Sequence, residues 1–249
     1  MGHLKRHNAP VFWPIKRKGI IWTVKPSPGP HALNKSIPLL ILVRDILKLG
    51  STAREARSII RQGKITVDKN VRKDPKFPIG LMDIVEIPEI GKHMRVVMGN
   101  HGIEVADIHA SESAKKTCRI EGKTTTKNGV TQLNLHDGRN LLVESSEYKP
   151  GDSLLISIPE QDIVEHFKFE ENVPVVVTGG KNTGFAGKLE KIMKRETVLQ
   201  KSRVIVSAGE NKIETLKKFV IVTGKAGESA SPNSEKEEEE KPKRRSKGK

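Results

Sequence analysis

The sequence predicts an α+β protein made of several small domains. Its 249 residues are enough for about two domains of ordinary size, or three small ones. Helical patterns occur only within residues 37–62, whereas short alternating stretches bounded by turn residues continue from residue 64 to residue 222. We therefore expect one small unit of helices and strands, followed by two small units made of strands.

The composition excludes several classes of protein. Hydrophobic residues make up 35% of the chain, which is enough to form real cores. The single cysteine, Cys118, excludes a disulfide framework and a zinc site built from cysteines. No apolar run approaches the ~18 residues of a membrane span, and the N-terminus has no apolar stretch like that of a signal peptide. We expect a cytoplasmic protein without a membrane partner, a cofactor or a small-molecule substrate.

The charge is strongly positive and concentrated near the N-terminus. The formal net charge is +15, and the first 100 residues carry 19 Lys and Arg against 7 Asp and Glu. A field of this sign attracts phosphate-bearing partners and speeds their capture. Membrane surfaces would also respond to it, but they favour a basic helix with large apolar residues on its other face. The charge therefore favours a nucleic acid as the partner.

Residues 1–36 are predicted to form a basic, extended arm, because prolines interrupt them and the first 25 residues contain no acid. A solubilising leader is the alternative, but cations interleaved with aromatic rings are typical of RNA binding. The predicted phosphate contacts of the arm are Lys5, Arg6, Lys16, Arg17 and Lys18. The rings either stack on unpaired bases or pack against the protein, and they belong to Phe12, Trp13 and Trp22.

Residues 37–62 predict two helices. The first runs from Ile37 to Leu49 and stops at Gly50, and the second runs from Ala53 to Gln62. Ser51 or Thr52 caps the second helix, with Glu55 placed as in a capping box. Arg54, Arg57 and Arg61 follow one face of this helix at i, i+3 and i+7, and we call them the arginine stripe. A solvated face is the alternative, but Glu55 is the only acid in the helix, so the stripe favours RNA.

The spacing of residues 39–87 resembles the S-four-type RNA-binding domain, a small αL-like module of ribosomal proteins and several RNA-modifying enzymes. The matching positions are Arg44, Gly50, Thr52, Ala53, Arg54, Ala56, Arg57, Ile60, Gly63, Val67 and Asp83-Ile84. In that family the helices present basic side chains to structured RNA. The resemblance therefore implies RNA contacts from Arg44, Arg54, Arg57, Arg61 and Lys64. The turn Asp68-Lys69-Asn70 departs from the family's common Asn-Gly. We place this domain at residues 37–95.

Residues 96–172 predict a small all-β central domain, since alternating stretches are separated by turn signals such as Asp137-Gly138 and Pro150-Gly151. His136-Asp137-Gly138-Arg139 is the only compact acid–base cluster in the chain. A hairpin turn explains it best, with Asp-Gly at the tip. Arg139 is then a further candidate for RNA contact.

Residues 173–224 predict a small β-barrel that contains a glycine motif. Gly187-Lys188 is followed by Leu189, so the motif lacks the Ser or Thr of a phosphate-binding loop. The segment resembles a KOW motif, the SH3-like barrel segment of ribosomal proteins and transcription elongation factors. Lys181 and Lys188 are predicted to face outward and contact RNA. Residues 225–249 are almost entirely polar and charged, which predicts a disordered tail.

Catalytic and metal chemistry find little support in the sequence. His3, His7 and His31 have no cysteine near them, and Cys118 lies in an alternating stretch typical of a buried side chain. No segment outside the predicted modules is long enough for a catalytic domain with a deep pocket. We therefore predict a binding protein without a metal site, and not an enzyme.

The order of the modules resembles the archaeal and eukaryotic (e-type) small-subunit ribosomal protein S-four family over about residues 2–222. The most distinctive stretches are Pro26–His31 and His136–Asn140, and the polar tail favours an archaeal member. The resemblance implies a structural constituent of the small subunit that binds folded 16S-type rRNA through phosphate and shape contacts and supports translation. It also implies contacts with neighbouring ribosomal proteins. A transient assembly factor and an RNA-modifying enzyme anchored by the S-four-type module are the alternatives.

Overall fold

The computed structural model describes residues 2–100, 102–127, 129–144, 147–193, 197, 200–209 and 211–225. Within these residues the protein consists mostly of β-strands, arranged in three five-stranded sheets and two small ribbons. No helix in the described part of the chain is long and apolar enough to span a bilayer. Residues 226–249, which hold nearly all of the predicted tail, lie outside the described residues.

The arm folds back on itself and onto the rest of the protein. Strands β1 (Leu4–Lys5) and β2 (Trp22–Thr23) pair antiparallel as a short ribbon. Short 3-10 turns occupy Arg6–Asn8 and Leu33–Lys35. Ala9 and Trp13 are buried in the same core as the helices that follow. The arm is therefore largely extended, as predicted, but it is anchored by apolar packing.

The helical segment is shorter than predicted. Strand β3 (Ile37–Pro38) precedes helix α1 (Leu39–Ile41), which continues into a π-helical turn over Leu42–Ile46. Pro38 keeps an extended backbone, so the helix cannot begin at Ile37 as predicted. Helix α2 spans Ala53–Arg61. Strand β6 (Pro78–Ile79) pairs with β3 and closes this part of the fold.

The first five-stranded sheet follows helix α2 and has the strand order β5-β4-β7-β8-β9. Its strands are β4 (Thr66–Val67), β5 (Asn70–Val71), β7 (Ile84–Ile87), β8 (Lys92–Gly99) and β9 (Gly102–Asp107). The predicted boundary between residues 95 and 96 falls inside strand β8. The pairing of β8 with β9 extends this sheet to Asp107.

The middle of the chain is built mainly from strands, as predicted. They form the central sheet, with the strand order β12-β11-β10-β13-β14. Its strands are β10 (Lys115–Thr125), β11 (Thr131–Leu135), β12 (Asn140–Val143), β13 (Ser153–Ser157) and β14 (Ile163–Phe167). A 3-10 turn over Glu112–Ala114 leads into it. The predicted hairpin turn before Asn140 is confirmed, because β11 and β12 pair antiparallel on either side of it.

The C-terminal sheet is also antiparallel, with the strand order β18-β17-β16-β15-β19. Its strands are β15 (Pro174–Val177), β16 (Ala186–Met193), β17 (Arg203–Ala208), β18 (Asn211–Leu216) and β19 (Val220–Val222). A 3-10 turn over Lys217–Phe219 joins the last two strands. Each five-stranded sheet covers its own apolar cluster, so the chain is stabilised by three separate cores.

Candidate RNA-binding surface

Helix α2 begins at a capping box. The Thr52 hydroxyl accepts a hydrogen bond from the Glu55 backbone N–H at 3.2 Å, and the Glu55 carboxylate accepts from the Thr52 N–H at 3.3 Å. The same carboxylate accepts from Ser51, and these hydrogen bonds lower the pKa of Glu55. The predicted cap is therefore confirmed with Thr52 as the capping residue. Ala56 and Ile60 are buried, which turns the opposite face of the helix to solvent.

The arginine stripe lies on that opposite face. Arg54, Arg57 and Arg61 are all exposed. None of them forms an ion pair or a side-chain hydrogen bond with another described residue. At a rise of about 1.5 Å per residue, the stripe extends over about 10 Å of the helix. It is a row of uncompensated cations on a rigid element, a geometry suited to the phosphates of a nucleic acid.

Several predicted cations outside the stripe are also exposed. On the arm they are Lys5, Lys16 and Lys18, and in the C-terminal sheet they are Lys188 on strand β16 and Lys181 in the loop between β15 and β16. Two others have carboxylate partners within the protein. Arg44 donates to both oxygens of Asp45, at 3.0 and 2.7 Å, and Lys64 lies 3.0 Å from Glu89. Their charge is therefore partly balanced within the protein.

The two arginines of the arm shape its fold. The Arg17 guanidinium donates to the carbonyl oxygens of Arg6 and Ala9 at 2.8 Å and to that of Pro10 at 2.7 Å. Arg6 in turn donates to the carbonyl oxygen of Lys16 at 2.9 Å. Because carbonyl oxygens carry no net charge, these hydrogen bonds hold residues 6–10 beside Arg17 without neutralising its guanidinium. Both residues therefore have a structural role that the sequence did not predict.

The aromatic residues of the arm have different environments. Trp13 is only 2% exposed, and its indole N–H donates to the Ser36 carbonyl oxygen at 2.7 Å. Of the two alternatives for this ring, packing against the protein is the one found, so base stacking by Trp13 is ruled out by burial. Phe12 is partly buried against the same core. Trp22 is 51% exposed, and its ring centre lies 5.3 Å from that of His3.

Arg139 lies in an internal group of charges that joins the first and central sheets. Its guanidinium is 2.8 Å from Asp68 and 3.3 Å from Asp137. The ammonium of Lys116 lies 2.7 Å from Asp68, 2.6 Å from Asp83 and 3.2 Å from Asp137. We call these five residues the Lys116 cluster. Arg139 is about one-fifth exposed and engaged by two carboxylates, so its charge is largely balanced within the protein and it helps to attach the central sheet to the first sheet.

The electrostatics of the Lys116 cluster keep it charged. Burial opposes the ammonium, but the carboxylates of Asp83 and Asp68 outweigh that effect and hold the pKa of Lys116 well above its ordinary value. Burial also opposes the carboxylate of Asp83, yet Lys116 and His31 lower its pKa. Burial and the nearby Asp83 raise the pKa of Asp68. The lysine is thus the positive centre on which three carboxylates depend.

The two most distinctive sequence motifs meet at this cluster. His31 Nε2 lies 3.0 Å from both carboxylate oxygens of Asp83, and His136 accepts from the Arg119 N–H at 3.1 Å. The other ring nitrogen of His136 is 3.1 Å from the Leu81 carbonyl oxygen. The sequence did not identify Lys116, although it shares its strand face with the buried Cys118 and Ile120, a phase that indicates burial.

One group of side chains that overlaps this cluster at Asp137 has the composition of a metal site. Cys118, His136 and Asp137 place their ligand atoms within 4.8 Å of one another. Burial raises the pKa of the Cys118 thiol, which disfavours the thiolate that a metal needs. Both ring nitrogens of His136 have protein partners, and the Lys116 ammonium lies beside Asp137. The arrangement therefore disfavours a cation.

Comparisons with family models match three consecutive parts of the chain. Residues 2–34 match the "RS4NT (NUC023) domain", and residues 38–85 match the "S4 domain". Residues 90–163 match "Ribosomal family S4e". The S4 match covers helix α2 with its arginine stripe. These matches confirm the resemblances inferred for the S-four-type module and for the e-type family.

Whole-chain comparisons give the same family. The chain is 48% identical to the small ribosomal subunit protein eS4 of Methanothermobacter thermautotrophicus, over 90% of this chain and 92% of that protein. It is 47% identical to the eS4 of Ignicoccus hospitalis, over 90% and 91%. The crystal structure of the 30S ribosomal protein S4e from Thermoplasma acidophilum has a TM-score of 0.69 and 28% identity, covering 79% of this chain and 99% of that one. The chain belongs to the family of the small ribosomal subunit protein eS4.

Proposed function

We propose that this chain is a structural constituent of the small ribosomal subunit and acts by binding and stabilising folded 16S-type rRNA. The observation that carries the proposal is the arginine stripe, exposed and without a carboxylate partner among the described residues, in a chain whose relatives are named small-subunit proteins. Counterion release from the RNA makes such a surface bind phosphates strongly at moderate salt. The proposed location is the ribosome in the cytoplasm.

The proposed RNA contacts are the exposed cations of the arm, of helix α2 and of the C-terminal part. On duplex RNA they would contact phosphates and 2′-hydroxyl groups, because the deep major groove of A-form RNA is closed to side chains. Trp22 is the proposed stacking residue for an unpaired base, and the partly buried Phe12 is a second candidate. Neighbouring ribosomal proteins are proposed as further partners, and we infer binding without catalysis.

The domain limits and the C-terminal fold are part of the same proposal. We infer that residues 173–224 form an SH3-like barrel with a KOW segment. The strand order β18-β17-β16-β15-β19 and the 3-10 turn before the last strand support it. The register shift between Leu189 and Lys191 also supports it, since a bulge lets one long strand bend between two halves of a barrel.

Sedimentation of cell extract through a gradient, at moderate and then at high salt, tests the proposal. We expect one copy of the chain per small subunit, retained at high salt because many phosphate contacts act together. A chain that stays near the top of the gradient, or that leaves the subunit at high salt, would contradict a structural role and favour a transient assembly factor.

A further inference from the structure

A cavity of about 780 Å³ lies where the arm, the first sheet, the central sheet and the C-terminal sheet meet. We call it the junction cavity. Sites that hold small molecules have volumes of about 300–1,000 Å³, so the junction cavity is large enough for one nucleotide. Leu81, Met98 and Ile221 contribute apolar surface to it, and Phe12 and Phe219 contribute aromatic surface.

Close backbone contacts hold the walls of the junction cavity. A Cβ added at Gly102 would lie 2.1 Å from the Phe12 carbonyl oxygen, so only glycine lets the arm approach strand β9 this closely. Residues 178–185, which join β15 to β16, are called the glycine loop. A Cβ at Gly184 would lie 2.5 Å from the Gly99 carbonyl carbon, so the glycine loop packs directly on the β8–β9 hairpin. Arg119 of the central sheet donates to the carbonyl oxygens of Lys218 and Val220. Four parts of the fold are thus fixed around the cavity.

The rim of the junction cavity carries an excess of positive charge. Lys35, Arg119, Lys181 and Lys218 line it, against the single carboxylate of Glu121. Lys35 and Arg119 already contact Glu121, at 2.9 and 3.2 Å. Lys181 and Lys218 are exposed and have no carboxylate partner among the described residues, although the Lys218 ammonium lies 4.6 Å from the Phe219 ring centre.

The glycine loop adds neutral donors to this rim. The backbone N–H groups of Gly179 and Gly180 find no acceptor among the described residues. Gly180 has a φ of 95°, and a Cβ at Gly179 would lie 2.7 Å from the Phe219 ring, so both positions favour glycine. Free N–H groups beside lysine ammonium groups are the usual components of a phosphate site.

We propose that the junction cavity binds one unpaired nucleotide of RNA. The base occupies the apolar part, and its phosphate lies at Lys181, Lys218 and the free N–H groups of the glycine loop. This inference rests on the proposed function and gives the protein a means of recognising a splayed-out nucleotide, the part of an RNA whose base edges can be read. The same apolar surface and phosphate-binding groups would also fit a free mononucleotide. The experiment below distinguishes that ligand from a nucleotide of RNA.

The test compares nucleotide-resolution footprints of the full-length protein on transcribed 16S-type rRNA. The variant Lys181→Ala/Lys218→Ala removes the two unpaired cations of the rim. Lys191→Ala is the control, because Lys191 is exposed on the same sheet but does not line the cavity. We expect wild type and control to protect the same unpaired nucleotide, and the double variant to lose that protection while it keeps the footprint of the arginine stripe.

The outcomes separate this inference from the proposed function. Identical footprints for the double variant and the wild type would overturn the junction cavity as a nucleotide site and leave the proposed function intact. Absence of any wild-type footprint would contradict both. In a second arm, AMP, GMP, CMP and UMP are titrated while the methyl signal of Met98 is followed by NMR. A shift at micromolar nucleotide would assign the cavity to a free mononucleotide and overturn the RNA assignment, whereas an unchanged signal supports it.

Discussion

Lys116 Nζ lies 2.6 Å from Asp83 Oδ1, which joins a lysine of the central sheet to a carboxylate of the first sheet. The lysine side chain is wholly buried. It reaches Asp68 of the first sheet as well, at 2.7 Å. These contacts exist only while the two sheets keep one relative position, so the Lys116 cluster fixes how they are attached.

Loss of the Lys116 ammonium is expected to lower the free energy of unfolding. Lys116→Met keeps the aliphatic part of the side chain but leaves the nearby buried carboxylates without their cation. Breaking a buried ion pair on one side costs about 3–5 kcal/mol, and urea unfolding measures it as a lower free energy of unfolding. Lys212→Met is the control, because Lys212 pairs with Glu190 at the surface and should cost less than about 1 kcal/mol. Equal losses for both variants would contradict the role of the cluster.

Gly184 tests the contact between the glycine loop and the first sheet. Gly184→Ala would place a Cβ 2.7 Å from the Asn100 nitrogen, in addition to the clash with Gly99. Gly209→Ala is the matched control, since Gly209 also has a positive φ but its Cβ would meet open space. We expect Gly184→Ala to lower the free energy of unfolding by about 1–3 kcal/mol more than Gly209→Ala does. A difference near zero would contradict this contact.

The two tryptophans should respond differently to RNA. In Trp22→Phe protein the remaining Trp13 is buried, so its fluorescence should resist acrylamide and change little when rRNA is added. In Trp13→Phe protein the exposed Trp22 should be quenched by acrylamide and by rRNA, because a stacked base quenches and shields the ring. Unchanged Trp22 emission on saturation with rRNA would remove it from the proposed binding surface.

The lowered pKa of His136 should make the free energy of unfolding depend on pH. Burial, and then the charge of Lys116, lower its pKa from 6.5 to about 4. Between these values the unfolded chain binds a proton that the folded chain does not. The free energy of unfolding therefore falls as the pH drops from about 6.5 to about 4, by at most about 3 kcal/mol.

Urea unfolding at several pH values across this window measures the effect. His136→Gln should flatten that part of the profile, since an amide has no proton to gain yet can still bond the Arg119 N–H. His109→Gln is the control, because His109 is exposed, and it should keep the wild-type profile. A profile of His136→Gln that overlays the wild type would show that another group is responsible.

Local signals made helix α2 and its surface predictable. The cap, the buried positions and the arginine stripe all depend on residues of helix α2 and its cap. The structure confirms the predicted cap and the exposure of the three arginines. The sequence also predicts a turn at Asp68-Lys69-Asn70, and the structure has it at Asp68-Lys69, with Asn70 already in strand β5. It works without Asn-Gly because both residues adopt a positive φ, of 50° and 63°, in a two-residue hairpin.

Contacts between distant segments account for what the sequence did not predict. The sequence predicts Arg139 as an RNA contact beside a hairpin turn. In the structure it pairs with Asp68, which is 71 residues away in the chain. Trp13 is buried in a core that consists mostly of residues from Ile37 onward, and strand β8 crosses the predicted boundary because its partner β9 follows it. A lysine such as Lys116 is expected at the surface unless its three carboxylate partners are known.

A variant that loses the same net charge is the control needed for replacement of the three arginines of the stripe. Removal of any three cations lowers the net charge and weakens RNA binding somewhat. The control variant therefore removes three exposed cations that already have carboxylate partners. They are Arg203 with Glu214, Lys212 with Glu190, and Lys225 with Glu165.

The salt dependence of binding to transcribed 16S-type rRNA tests the central claim most directly. Each phosphate contact that is lost reduces the slope of log K against log salt concentration by about 1. We expect the triple variant Arg54→Ala/Arg57→Ala/Arg61→Ala to bind more weakly, with a slope about 2–3 smaller in magnitude and an unchanged helical signal. The charge-matched control should keep nearly the wild-type slope. A triple variant with the wild-type slope would contradict the arginine stripe as the rRNA-binding surface.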